Sequence, residues 1–191
     1  MIRGDSGEYD LLTKWANFDC EGNYSCEIGV REGLGSKIIM DNIKNNFMHI
    51  GIDPYGDRVY QHVDNQENFT WDGLERGVAP TYSDTIRDVL IEDMKPYKGR
   101  FHLANMTDTA FMQSFLYVDK TFAFVHFDGP HTTKDVLTEA VWFANRSAPR
   151  TRFVFDDHKK YSMDTIAYAL TAFNFRTIEI GEQKILLERK V

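Results

Sequence analysis

The chain has 191 residues, 42% hydrophobic and 27% charged, with a net charge of −7. That length suffices for one domain with a real core, and the acidic balance argues against a general nucleic-acid binder, which carries a basic surplus. Two cysteines, Cys20 and Cys26, make no disulfide framework, the start MIRGDSGEYD has no apolar signal segment, and no apolar run nears the ~20 residues of a bilayer span, so a soluble cytoplasmic protein with no membrane partner is expected.

Residues 1–20 form an N-terminal helical segment. Tyr9, Leu12, Trp15, Ala16 and Phe18 have mostly helical spacing, with Asp5 or Ser6 as N-cap, and the helix is expected to pack across a sheet or cover a crevice. A strand at Tyr24–Val30 carries Glu27. A turn with Gly29, Gly33 and Gly35 leads into a helix over 36–45, and a strand at Met48–Ile52 ends in Asp53. Residues 54–82 are rich in Gly, Asn, Asp and aromatics without sustained period, which marks a lid or binding insertion. Ser83 caps a helix to about Lys95, before Pro96. A strand over 100–104 follows, then a helix from Thr107 or Asp108 through Val118. The run TFAFVHF, 121–127, reads as a buried central strand ending at Asp128. A helix over 131–145, a strand over 152–155 ending at Asp156 and Asp157, a helix near 163–172 and a hairpin over 175–188 complete the chain. Alternating strands and helices predict an α/β fold: a Rossmann-like, doubly wound, mostly parallel seven-stranded sheet with a C-terminal antiparallel hairpin. Ligands of such sheets bind beyond the carboxyl ends of the strands, where Glu27, Asp53, Asp128, Asp156 and Asp157 cluster.

The glycines let the backbone bend sharply and approach a ligand. Asp53 follows Gly33 by the ~20 residues expected of a ribose-binding acid. The turn reads E-x-G-x-x-x-G-x-G rather than G-x-G-x-x-G. An acid beside the turn repels a pyrophosphate and attracts a sulfonium, so the pattern favours S-adenosylmethionine over a dinucleotide. A tight turn without a ligand is the alternative. Asp128, Asp156 and Asp157 converge at strand ends and repel one another unless cations or protons compensate, and Mg²⁺ suits such oxygen ligands. Otherwise the Asp156–Asp157 pair is a strand-end and helix-cap feature.

The runs CEIGVREGLGS, HIGIDPY, FVHFDGPHTTKDV and FVFDDHKKY together resemble class I S-adenosylmethionine-dependent methyltransferases, and within them the metal-dependent macrocin-type O-methyltransferases and cephalosporin-hydroxylase-like proteins. The resemblance covers roughly 24–160. It implies that Glu27, Gly29, Gly33 and Ser36 form the cofactor turn and that Asp53 binds the ribose. It also implies that Asn105 and Met106 contact the adenine, Asp128 lies on the cofactor side, and Asp128, Asp156 and Asp157 hold Mg²⁺ or another divalent cation. The implied reaction is metal-assisted O-methylation of a sugar or other small-molecule hydroxyl. The family tends to read Asp-Gly-Asp-His where this chain reads Asp128-Gly129-Pro130-His131. Pro130 takes no proton, so His131 is a candidate base beside Asp128, or else a helix cap; His158 is another candidate base or a surface residue. Tyr55, Tyr60, Phe69, Trp71 and Tyr82 are candidates for an acceptor pocket or for core filling. Rival readings are a cofactor-binding module without turnover and a metal-dependent hydroxylase or hydrolase. A homodimer stays open.

Overall fold

The strands read from the sequence pair into one seven-stranded sheet in the computed structural model, which describes residues 2–4, 6–19, 21–43, 47–56, 58–64 and 70–191. The elements are α1 (Tyr9–Ala16), β1 (Tyr24–Ile28), α2 (Leu34–Asn42), β2 (Met48–Ile52), β3 (Val59–Gln61), β4 (Val78–Pro80), α3 (Asp84–Asp93), β5 (Phe101–Ala104), α4 (Asp108–Gln113), β6 (Phe122–Phe127), α5 (Thr133–Ala144), β7 (Ser147–Phe155), α6 (Met163–Thr171), β8 (Phe175–Ile180) and β9 (Ile185–Arg189). The sheet order is β5-β2-β1-β6-β7-β9-β8, and β9 alone runs against its neighbours. Chain direction reverses its winding at β1, with β2 on one side and β6 on the other, and a switch point of this kind opens a crevice at the carboxyl ends.

Period-two alternation sorts the strands' side chains between two cores. Phe124, Val154 and Leu186 face Leu12 and Trp15 of α1 and Ile39 of α2. Val125, Phe127, Phe153 and Phe155 face Val136 and Phe143 of α5 and Ile166 of α6. β6 is buried at every residue, as its unbroken apolar run requires. Ser83 and Thr107 cap α3 and α4 through their side chains, as the sequence predicts.

Several boundaries differ from expectation. α4 stops at Gln113 rather than Val118, because Ser114 turns extended and Tyr117 folds back to stack on Phe111 at 4.1 Å while Phe115 and Leu116 stay exposed. β7 begins at Ser147, before a left-handed Arg150. α2 runs from Leu34 to Asn42, and the expected end at Asn45 lies outside the described residues. The 54–82 insertion holds a small antiparallel hairpin, β3–β4, apart from the main sheet.

The N-terminal segment is fastened differently from a capped helix. Asp5 lies outside the described residues, and Ser6 caps nothing; its hydroxyl donates to Asp156 Oδ2 at 2.5 Å. Glu8 precedes α1 in a left-handed conformation (φ 55). Its carboxylate accepts the backbone N–H groups of Glu182 and Gln183 at 2.8 Å each and of Lys184 at 2.9 Å, in the turn between β8 and β9. Burial alone would raise its pKa, but these backbone bonds bring it below the usual value. Hydrogen bonds to a charged group contribute about 1.5–3 kcal/mol. Glu8→Ala is therefore expected to lower the melting temperature by about 5 °C. The deficit should be full above the ordinary carboxyl pKa and shrink as pH falls toward the depressed one. Unchanged melting at neutral pH would show that this turn does not depend on Glu8.

Candidate active site

A cavity of about 600 Å³ opens at the carboxyl ends of β1, β2, β6 and β7. The sheet supplies Gly29, Arg31, Asp53, Asp128, Asp156 and Asp157. Thr107, Asp108 and Thr109 enter from the start of α4, and His131 and Lys160 from the loops after β6 and β7. Tyr60, His62, Trp71 and Tyr82 enter from the insertion, and Ser6 from the N-terminal segment.

The glycine turn is built around close approach. Gly29 has φ 82, and a Cβ there would lie 2.0 Å from the Asp128 carbonyl oxygen, so the loops after β1 and β6 touch across the switch point. Asp53 Oδ2 accepts the N–H groups of Val30 at 3.0 Å and Arg31 at 2.9 Å, which ties the tip of β2 to that turn. Burial raises the Asp53 carboxyl to about 6, against the lowering by these two bonds.

Glu27 sits beneath the turn and does not line the cavity. It takes the Ser36 hydroxyl at 2.5 Å and pairs with His126 Nδ1 at 2.8 Å; a Cβ on Gly35 would lie 1.9 Å from its Oε1. Ser36 and His49 lie 2.9 Å apart, and so do His49 and Ser25, which makes one buried polar chain. The structure thus gives Glu27 the task of fastening α2 to β1 and β6. The sequence had placed it against the ligand's positive group.

The carboxylates meet their compensating charge inside the protein. Lys184 is fully buried at 0% exposure, with Nζ 2.8 Å from Asp156 Oδ1 and 2.6 Å from Ser6 Oγ. Asp157 Oδ2 pairs with Lys160 Nζ at 2.5 Å. Burial and then the charge of Asp156 raise the Asp128 carboxyl well above the usual range. Burial also works against Asp156, but Lys184 and then His126 outweigh it and hold that carboxyl low. Among the described residues, the His, Asp and Glu ligand atoms that converge within 4.8 Å belong to Glu27, His126 and Asp128, not to Asp128, Asp156 and Asp157. A divalent ion on the expected set would meet the Lys184 ammonium at Asp156 and the Lys160 ammonium at Asp157. The donor set does not fit Mg²⁺ as the sequence implied.

The structure separates the two candidate bases. His131 is buried at the cavity wall, its Nε2 3.9 Å from Asp128 Oδ1 and 3.8 Å from Asp157 Oδ2, and neither ring nitrogen has a hydrogen-bond partner among the described residues. Its backbone N–H donates to the His62 carbonyl at 2.5 Å, and the two rings meet edge-on at 4.9 Å, with Tyr60 OH 3.0 Å from His62 Nδ1. Burial, then Lys160, lowers the His131 pKa to about 4, so the ring is neutral near pH 7. The cap of α5 is Thr132, not His131. His158 lies off the cavity, 3.3 Å from the Gly181 carbonyl oxygen, where it braces the β8–β9 turn.

Asn105 is exposed and Met106 packs on the core; Thr107, Asp108 and Thr109 line the cavity in their place. Of the candidate aromatics, Tyr60, Trp71 and Tyr82 line it, Tyr55 fills a core with Val30 and Leu90, and Phe69 lies outside the described residues. Sequence reasoning missed Lys184, Ser6, His62 and His126. Only the lysine left a trace, as a charge opening the apolar run Ile185–Leu187.

A doubly wound sheet with a glycine turn and a β2 acid at its switch point defines a cofactor-binding α/β enzyme. A family described as "methyltransferase domain" matches residues 26–158; the chain belongs to this family and is a class I S-adenosylmethionine-dependent methyltransferase. Solved structures share the fold at low identity. The O-methyltransferase NovP is 11% identical with a TM-score of 0.64, covering 96% of this chain and 79% of its own. The Bacillus cereus O-methyltransferase, solved with S-adenosylhomocysteine, is 11% identical with a TM-score of 0.59, covering 94% and 77%. The N-methyltransferase NodS from Bradyrhizobium japonicum WM9 is 10% identical with a TM-score of 0.59, covering 96% and 94%. No protein of curated function matches the chain. No helix among the described residues is long and apolar enough to cross a membrane.

A ribose held by Asp53 requires its carboxylate form. Calorimetric affinity for S-adenosylhomocysteine is therefore expected to plateau above pH 6 and weaken as pH falls through about 6, the raised value set by burial. Asp53→Ala should cost about 2 kcal/mol or more at pH 7.5, the scale of charge-assisted hydrogen bonds. A pH-independent affinity would separate Asp53 from the ligand.

Proposed function

We propose that the protein methylates a hydroxyl group of a small molecule, a sugar or a compound of similar size, with His131 as general base. The observation that carries this reading is the His131 ring. It is buried at the cavity wall, neutral at pH 7, and has both nitrogens unpartnered. A buried polar atom without a partner is costly, and an acceptor hydroxyl at Nε2 would remove that cost.

The residues fit the cofactor on two observations. Gly29 keeps a Cβ out of the space between the β1 and β6 loops, and Asp53 faces the cavity with its carboxylate anchored by the turn's own N–H groups. S-adenosylmethionine, which Gly29 and Asp53 would hold, would supply a methyl group on a positive sulfur as the group to be transferred to the acceptor oxygen. His131 Nε2 takes the hydroxyl proton. Asp157 Oδ2, 3.8 Å from that nitrogen, favours the imidazolium that forms, and Asp128, at 3.9 Å, orients the hydroxyl. Tyr60, Trp71 and Tyr82 wall the acceptor side and keep water out. No step runs through a divalent ion.

The cavity lies within the ~300–1,000 Å³ range of small-molecule sites, which supports a small acceptor over a nucleic acid, as the net charge does. The free, buried Cys26 goes with a reducing, cytoplasmic setting. The test uses methyl-labelled cofactor against a panel of sugar and phenol hydroxyls. With the acceptor found, His131→Asn is expected to lower kcat by about 10²–10⁴. The affinity for S-adenosylhomocysteine should stay within threefold. At saturating cofactor the wild-type kcat should hold across neutral pH and fall as His131 protonates near pH 4. Wild-type turnover by His131→Asn would remove the base from this account.

A further inference from the structure

We propose that Lys184 is the resident cation of the active site, a positioning residue whose ammonium pairs with Asp156 and so takes that carboxylate from the set Asp128, Asp156 and Asp157 that a divalent metal would need. The β7–β9 ladder brings it there. Phe155 pairs with Ile185 and Val154 with Leu186, so one further step of the register sets Asp156 opposite Lys184. Side chains of directly opposed residues in an antiparallel pair share a face, and here they meet at 2.8 Å.

The lysine is held from several directions. Its Nζ donates to Ser6 Oγ at 2.6 Å, and Ser6 donates onward to Asp156 Oδ2. It stands 5.7 Å from the Tyr9 ring centre, and its backbone N–H donates to Glu8 at 2.9 Å. A lysine with no exposed surface is rare unless an acid pairs with it, and this acid is one of three whose mutual repulsion calls for a positive charge. An ammonium and a divalent ion repel strongly at the separations available around one carboxylate. While Lys184 stays, the metal has no place.

Lys184 does not line the cavity; it acts through Asp156, which does. It fixes the position of Asp156, whose neighbour at the cavity, Asp128, stands 3.9 Å from His131 Nε2. The inference deepens the methyl-transfer reading and rests on it for its consequence, an enzyme indifferent to chelators. The cation site itself can be read without turnover.

The experiment is a Mn²⁺ titration of the full chain followed by electron paramagnetic resonance. The wild type is expected to bind no Mn²⁺ up to about 1 mM, and Lys184→Ser to gain one site at least tenfold tighter that disappears on adding Asp156→Asn. Circular dichroism establishes that the Lys184→Ser protein is folded. Stoichiometric Mn²⁺ binding by the wild type, lost in Asp156→Asn, would overturn the proposal, as would a folded Lys184→Ser protein with no gain. If Lys184→Ser does not fold, the wild-type titration decides, with Lys184→Arg as the charge-retaining partner. Failure to bind Mn²⁺ in both supports the resident cation, and binding in either sinks it. None of these outcomes depends on the acceptor, so a wrong assignment of the reaction leaves the result legible.

Discussion

Four of the five acids at the carboxyl edge of the sheet, the buried Glu27, Asp53 and Asp156 and the half-buried Asp128, are each kept there by a different means. Glu27 has the Ser36 hydroxyl and His126, and Asp53 has two backbone N–H groups. Asp156 has an ammonium, and burial with the charge of Asp156 pushes the Asp128 carboxyl toward its neutral form. An unpaired buried carboxylate is expensive enough that the surrounding chain must be built to hold it. That requirement explains features remote from one another in sequence: a serine in helix α2, a lysine at the start of the last strand, and a serine near the N-terminus. The N-terminal segment, expected to pack across the sheet or cover the crevice, packs on the sheet through Leu12 and Trp15 and joins this charge arrangement through Ser6.

The same compensation divides the cavity by chemistry. On the Asp53 side the acid is anchored by backbone, which fixes its position regardless of what the acceptor side does. On the Asp156 side the acids lie close together, and the charge of Asp156 helps to raise the Asp128 carboxyl. The insertion hairpin then closes this side, because the His62 carbonyl takes the backbone N–H of His131 and holds the ring against the acids. His131 is therefore positioned by the least regular part of the chain.

Local patterns made the fold legible. The unbroken apolar run of β6, the acids at strand ends, the serine and threonine caps and the alternation of elements all act within a few residues, and the structure bears them out. Asp53 was legible for the same reason, since its place at the tip of β2 follows from strand length. Lys184 was not, because its meaning depends on the register of β9 against β7, which no local signal fixes. Glu27 was placed beside the right turn with the wrong orientation: in a strand buried on both faces, polarity does not say which way a side chain points. Asn105 and Met106 missed the cavity because the cap at Thr107 turns the chain, and the three residues from that cap onward face inward.

Pro130 looked like the weakest point of the sequence, since it stands where related motifs carry an acid able to take a proton. The structure gives that substitution a consequence. Pro130 offers no N–H, and Thr132 caps α5, so His131 between them is free of helix capping and directs its ring into the cavity. Burial keeps that ring neutral, the form a base needs. A carboxylate base and a metal would have raised the negative charge and then offset it with an ion from solution. A neutral imidazole beside a lysine-compensated acid reaches a similar charge balance from residues of the chain itself. The two departures from the expected pattern, proline for the acid and a buried lysine on Asp156, are consistent with each other: with one negative group fewer, the ammonium groups of Lys184 and Lys160 answer the charges of Asp156 and Asp157.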